Sequence, residues 1–386
     1  MFSSTRLFIF LFFLSATQAI AQDRPQTIEQ VKTLSSEAFW GRGYTRDGMK
    51  KAAAYIAKNL EKSGVAPMNG PSYLQHFSYP VNTFPGAMEL RLNGKSLVPG
   101  LDFLVGNEST GQRIENASLE KKDSVTYLSA ATKTIFVLQN KLTWSVSSSV
   151  EPYTVIYLDR TRLKTEPENF SMNIENRFLP AFEAANVCGM VRGTRRPDSV
   201  LVLSAHYDHL GSMGSNTWFP GANDNASGVA TLLSLARHYA ENPPAYSIAF
   251  LFFAGEEAGL IGSKYFTENP LVPLSSIRFL LNLDLVGTGV DGATVVNATV
   301  YPEAFAELER INNSGNLFSK LARRGKAANS DHYHFSEKNV PAFFLYTMGG
   351  TQAYHDINDK AETLPMGSYE QVFKLITGFF SAQMDR

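Results

Sequence analysis

Along the chain the hydrophobic positions repeat with two different periods, and the change from one to the other divides it. Residues 27–37 and 48–64 carry the helical period; in the second, Met49, Ala53, Tyr55, Ile56 and Leu60 form one stripe and Gly64 is a stop signal. From about Tyr79 the period shortens to two. Segments 88–92 and 96–98 flank Asn93-Gly94, a pair suited to a tight hairpin turn, and more strands are expected at 125–128, 134–138 and 153–158, separated by polar stretches such as 107–123.

Beyond Asn186 apolar runs and helical stripes alternate. Strands are expected at 187–191, 199–205, 247–254, 279–285, 294–300 and 342–346, with helices at 226–239, 259–266, 303–310 and 368–380. The runs 199–205 and 247–254 are apolar almost throughout, the pattern of strands buried on both faces. The expected fold is therefore α/β: a three-layer α/β/α sandwich with a mainly parallel central sheet, plus an inserted β-rich subdomain. Residues 22–78 and 183–386 would form the main domain and 79–182 the insertion, whose role would be to roof a site or to serve as an appendage.

The net charge of -1, a pI near 6.7 and the absence of any lysine or arginine run leave no footprint for nucleic acid or anionic lipid. Arg6, the apolar segment 7–14 and Ala19-Ile20-Ala21 form the three-part pattern of a secretory signal over residues 1–21, cleaved after Ala21. That apolar segment is far below the ~20 residues needed to span a bilayer, so the chain is expected to be exported, periplasmic or secreted, without stable membrane insertion. Cys188 is the single cysteine, which rules out an intrachain disulfide; its apolar flanks place it in the core.

Chemistry gathers where the apolar runs end. The run 199–205 stops at His206-Tyr207-Asp208-His209, and the run 247–254 at Gly255-Glu256-Glu257. Asp284 sits inside FLLNLDLVG, and Tyr354-His355-Asp356 follows the strand VPAFFLYTM. Asp224 lies in the glycine-flanked loop GANDNASG ahead of a helix, where capping would be the ordinary use of an aspartate. In an open α/β sheet the carboxyl edge is where sites form, and neighbouring carboxylates after a buried strand need cations or protons. Two histidines, His206 and His355, with Asp224, Glu257 and Asp284 suit two borderline cations such as zinc, one carboxylate bridging. Glu256 is left over beside Glu257, as a hydrolase's general base would be.

HYDHLG, GANDNASG, GEEAGLIGS, NLDLVG and SDHYHF…VPAFFLYT…YHD together resemble the co-catalytic zinc aminopeptidase family, which includes secreted bacterial leucine-type aminopeptidases and, as relatives, glutaminyl cyclases. The resemblance spans residues 186–363 and, more loosely, the two opening helices; the insertion is a candidate protease-associated one. It implies two Zn2+ ions, one held by His206 and Asp284, the other by Glu257 and His355, with Asp224 bridging and Asp224-Asn225 joined by a cis peptide. Glu256 would be the base acting on a metal-bridging water or hydroxide, Asp208 would support His206, and Tyr354 would polarise the substrate carbonyl. The implied substrates are peptides with a free N-terminus. The alternatives are a glutaminyl cyclase-like acyltransferase with one zinc, and a non-catalytic receptor-like relative, which would need a broken ligand set; none is broken here. The chain departs from the family at YHDIND, where relatives carry threonine and proline after the histidine. His209 is a candidate outer support, Asp331-His332 part of the site wall, and His76, His238 and His334 ordinary surface or core residues.

Overall fold

The computed structural model describes residues 14–385, with side chains from Arg24 onward, so the expected export signal lies outside the described residues up to residue 13. Among the described residues no helix is long and apolar enough to cross a membrane.

A nine-stranded sheet forms the centre, and its four middle strands are parallel: Tyr246–Phe253, Arg196–His206, Ile277–Leu283 and Ala342–Met348, in that order. Ser199 to His206 and all of Tyr246–Phe253 are buried on both faces, as the unbroken apolar runs predicted. The alternation of side chains then sorts them into two layers. Leu201, Leu203, Ile248, Phe250 and Leu281 share one core with the helices Gly48–Lys62, Gly228–Glu241 and Tyr369–Met384. Val200, Val202, Ala249, Leu251 and Leu280 share the other with Phe266 and Phe335, from helices Ile261–Glu268 and His332–Glu337, and with Cys188. Helices thus cover both faces. The sheet is mixed because Arg177–Val191 runs antiparallel beside Tyr246–Phe253, and Gly292–Val296 antiparallel beside Ala342–Met348.

Arg177–Val191 begins ten residues ahead of its expected start. From Arg177 to Val187 it pairs with Leu74–Thr83 in a two-stranded ribbon that leads out of the main sheet. Beyond the ribbon lie a five-stranded and a four-stranded sheet around a second core that includes Phe84, Phe103, Phe136, Ile156 and Phe170. The 88–92 strand and its Asn93-Gly94 turn form as expected, with Asn93 and Gly94 both at positive φ. Four strands here differ from the sequence reading, the short Phe103–Val105 and Glu120–Lys121 and two longer ones. Gln112–Ser118 lies inside the polar stretch, and Asn169–Ile174 was not anticipated. Gln112–Ser118 buries none of its residues, so no apolar period marks it; backbone pairing with Asn169–Ile174 holds it.

The second core is tied to the main domain by Leu210, Met213 and Phe219, which come from the loop after His206. Phe219 is fully buried and stacks on Trp144, with ring centroids 4.8 Å apart and an interplanar angle of 21°. Phe219→Ala is therefore expected to cost ~3–5 kcal/mol of stability. Chemical denaturation checks this, and a loss below about 1 kcal/mol would show that the junction repacks around the deletion.

Candidate metal centre

Each middle strand delivers at least one group to the same edge. His206 ends its strand, Glu256 and Glu257 follow Phe253, Asp284 follows Leu283, and His355 lies in the loop after Met348. Because these strands are neighbours and parallel, the groups converge without any long excursion of the chain.

The distances define two sub-sites that share one carboxylate. His206 Nε2 lies 3.3 Å from Asp284 Oδ1 and 3.4 Å from Asp224 Oδ1. His355 Nε2 lies 3.2 Å from both Asp224 Oδ2 and Glu257 Oε2. Asp224 thus turns one oxygen to each histidine. The far nitrogens are fixed by backbone: His206 Nδ1–H donates to the Asp208 carbonyl at 3.2 Å, and His355 Nδ1–H to the Trp144 carbonyl at 2.8 Å. In the neutral imidazoles this leaves both Nε2 lone pairs facing carboxylates.

Those contacts fit metal ligation. His206 Nε2 and Asp284 Oδ1 are buried and have no hydrogen-bond partner although they face each other. Lone pairs aimed at a common point, among four nearby carboxylates, call for cations. His206, Asp224 and Asp284 form one group of candidate ligands, His209, Asp224 and Glu257 an overlapping one, and His206, Glu256 and Glu257 a third. Nitrogen and oxygen donors without thiolate, sharing a carboxylate, make a donor set for a co-catalytic pair of zinc ions.

Electrostatics follow from burial and proximity. Burial pushes the Glu256 carboxyl well above its ordinary range; Glu257, Asp331 and Asp284 push it the same way, against His206. Burial acts likewise on Glu257, but His355 and His209 outweigh it and bring the carboxyl down to about 2. For His355, burial is overcome by Glu257 and Asp224, which lift it to about 11.

The loop carrying Asp224 is held from several sides. Between Ala222 and Ser227 the backbone turns through non-helical angles at Asp224 and Asn225, and the Asp224-Asn225 peptide is cis, as the resemblance implied. Arg42, fully buried, reaches under this turn. Its Nε–H donates to the carbonyl of Tyr207 at 2.9 Å, Nη1 to those of Leu34 and Pro220 at 3.1 and 2.8 Å, and Nη2 to those of Gly221 and Asp224 at 2.8 and 3.0 Å. From the other side the Asp359 carboxylate accepts the backbone N–H groups of Asn223 and Asp224, both at 2.9 Å. Gly221 must be glycine: its φ is 57°, and a Cβ would stand 2.2 Å from the Asp224 carbonyl oxygen and 2.4 Å from the His209 ring.

Asp208 is fully buried, but its carboxylate comes no nearer than 3.8 Å to the His206 ring. It accepts the backbone N–H of Glu256 at 3.1 Å and of Glu257 at 3.3 Å, so what it fixes directly is the pair of glutamates. His209 is buried, and its Nδ1 lies 2.7 Å from Glu257 Oε1. Tyr354 is 45% exposed and stacks on the His355 ring, centroids 4.0 Å apart. Asp331 and His332 are fully buried, and Ser330 donates to Asp284 Oδ2 at 3.2 Å. The groups open on a cavity of about 470 Å³ that Glu256, Tyr354 and Phe344 also line, a size that suits a small ligand.

Sequence reasoning missed Arg42, Asp359 and Trp144. Arg42 had one visible signal, the glycines on either side of it in WGRGYT. Within YHDIND, Asp356 caps the local turn through the Asn358 N–H at 2.8 Å, and Asp359 serves the Asp224 loop.

The sequence profile of peptidase family M28 matches residues 186–380. A probable zinc metalloprotease of Pyricularia oryzae is 34% identical over 129 residues, which are 33% of this chain and 26% of that protein. A vacuolar membrane protease of Eremothecium gossypii is 35% identical over 130 residues, 32% of this chain and 12% of that protein. The matched stretch is therefore about a quarter or less of either relative. Among solved structures, BSAP, a zinc aminopeptidase from Bacillus subtilis, superposes with a TM-score of 0.69 at 19% identity, covering 93% of this chain and 94% of that one. A peptidase M28 precursor from Shewanella amazonensis gives 0.70 at 15% identity, covering 96% of each. At these identities the likeness establishes the shared fold.

All five N–H donors of Arg42 are used, and burial lowers its pKa to about 10 against the pull of Asp224 and Asp359. Lysine offers three donors from a single point and would strand at least two buried carbonyls, at ~1–3 kcal/mol each. Arg42→Lys should therefore lose ~2–6 kcal/mol of stability in chemical denaturation. A loss under about 1 kcal/mol would mean that water replaces the guanidinium at no cost.

Proposed function

The chain belongs to peptidase family M28, and from that premise we propose that it is an exported zinc aminopeptidase that releases the N-terminal residue of peptides. The signal-like pattern over residues 1–21 supports export to the periplasm or the exterior. His206 and Asp284 would hold one zinc, Glu257 and His355 the other, and Asp224 both. Bound there, the ions would supply Lewis acidity to the scissile carbonyl and bring the pKa of water to about 7.

The observation that carries the reading is the separate status of Glu256. Asp224, Glu257 and Asp284 each approach a histidine nitrogen within 3.4 Å, whereas the Glu256 side chain makes no hydrogen bond or ion pair among the described residues and lines the cavity. A carboxylate beside the ligands yet free of them can take a proton at its oxygen during attack and return it to the leaving amine. Asp208 aims it: the two N–H bonds fix the backbone from which Glu256 and Glu257 diverge. His209 holds Glu257 at its second oxygen. Tyr354, which lines the cavity, would meet the substrate carbonyl.

Hydrolysis is expected to require a free amine, so N-acetylated peptides should resist cleavage that their free counterparts undergo. Equal rates for both, or cyclisation of N-terminal glutamine with no hydrolysis, would sink the assignment. The two glutamates separate by mutation. Glu257→Ala should lose zinc, while Glu256→Gln, which cannot accept the proton, should keep both ions and lose ~100- to 10,000-fold in kcat with KM little changed. Metal analysis beside steady-state kinetics checks this; loss of zinc from Glu256→Gln would reverse the roles.

A further inference from the structure

The end of strand Leu321–Arg323 and the chain just after it carry three cations in four positions, Arg323, Arg324 and Lys326. Arg323 pairs with Glu309 and Lys326 with Glu337. Arg324 pairs with no carboxylate among the described residues: its Nη1 donates to Tyr346 Oη at 3.1 Å, and both side chains line the cavity of the candidate metal centre. That cavity therefore holds one guanidinium among walls that include Asp224, Glu256, Glu257 and Asp284.

The fold brings this guanidinium there from a distance. Leu321–Arg323 is the outermost strand, separated from Ala342–Met348 by Gly292–Val296, and the Arg324 N–H is anchored to the Val295 carbonyl at 2.9 Å. The side chain has to reach back across that intervening strand to meet Tyr346. The strand carrying Tyr346 lies next to the one leading to Asp284, ~5 Å away, with the Asp284 N–H on the Leu345 carbonyl. A substrate atom one side chain away from the reacting carbonyl would thus come within reach of Arg324.

Under the function proposed above, Asp224, Glu257 and Asp284 are committed to zinc and Glu256 to proton transfer, so no cavity carboxylate remains for Arg324. We propose that Arg324 is a specificity-determining residue that binds a carboxylate of the substrate, either the side chain of an acidic N-terminal residue or the terminal carboxylate of a very short peptide. A guanidinium steadied by Tyr346 and otherwise exposed to solvent presents its remaining donors as a planar fork, which matches a carboxylate and not an ammonium or an apolar side chain.

The test uses the full-length, zinc-loaded protein and its Arg324→Gln and Arg324→Lys variants. Two matched pairs differ only in one carboxylate: glutamyl 4-nitroanilide against its side-chain γ-methyl ester, and leucylglycine against leucylglycinamide. In at least one pair the wild type should favour the carboxylate member, and Arg324→Gln should shrink that kcat/KM ratio ~10- to 100-fold, with partial recovery in Arg324→Lys. A change in the first pair assigns the carboxylate to the released side chain, and a change in the second to the end of the peptide. If neither ratio moves in Arg324→Gln, the proposal is overturned. Calorimetric titrations with glutamate against glutamine, and with the uncleaved D-leucyl analogues of the second pair, read binding directly. Should the wild type hydrolyse nothing, the peptidase reading fails, but a carboxylate preference in binding that disappears in Arg324→Gln still supports the assignment. The absence of any such preference overturns it.

Discussion

Four carboxylates buried at one sheet edge repel each other, and the rest of this structure is arranged around that repulsion. Asp224, Glu256, Glu257 and Asp284 line a single cavity, with Asp208 buried beneath them and Asp359 behind the Asp224 loop. No packing of apolar side chains could pay for so many charges held out of water. What answers them is positive charge on both sides: the cations that the histidine and carboxylate donors call for from within, and the guanidinium of Arg42 from below. Arg42 does so without touching a carboxylate, since all its donors end on carbonyls. Its charge acts through a low-dielectric interior while its geometry shapes the loop.

That double use of one side chain links stability to chemistry. The carbonyls of Pro220, Gly221 and Asp224 point inward at Arg42, so the loop's N–H groups at Asn223 and Asp224 are left for Asp359 on the opposite side. With its backbone gripped from both directions, Asp224 has little freedom in its side chain, and its two oxygens stand between two histidines. A ligand that bridges, as Asp224 is proposed to, would need that rigidity more than a terminal one, because an error in its position would be felt at both metals.

The parts legible in the sequence were those governed by local pattern. Runs such as 199–205 and 247–254 announced buried strands, and the residues at their ends announced the site, because a parallel sheet sends every such end to the same edge. Cys188 lies in the core that its flanks suggested. What escaped notice depended on contacts distant in sequence. Arg42 meets Pro220, Gly221 and Asp224 roughly 180 residues away, Asp359 reaches back to Asn223, and Trp144 to His355, and no periodicity records a partner at that range. Asp208 does stand against His206, but in a form that alternation alone does not describe, with the backbone carbonyl at 3.2 Å and the carboxylate at 3.8 Å. Alternation along the strand put it on the side of His206, but the strand stops at His206, and beyond it the chain turns so that the Asp208 carbonyl, not its carboxylate, takes the imidazole proton.

The inserted sheets bear on the chemistry through the same kind of contact. His355 stands in a loop that no strand supports, seven residues beyond Met348. Its orientation comes from the other core: the Trp144 N–H donates to the His355 carbonyl at 2.8 Å, and the Trp144 carbonyl accepts the His355 ring N–H at the same distance. Trp144 is itself immobilised by the bond from its indole to the Val105 carbonyl at 2.7 Å and by its stack on Phe219. Lys141 adds a bond to the Gln352 carbonyl at 2.7 Å and an ion pair with Asp356 at 3.4 Å. A candidate zinc ligand of the main domain is thus aimed by backbone belonging to the second core. Any displacement of that core would be transmitted to His355 before it reached a ligand on the parallel strands, which makes the packing at Trp144 and Phe219 part of the metal site's framework.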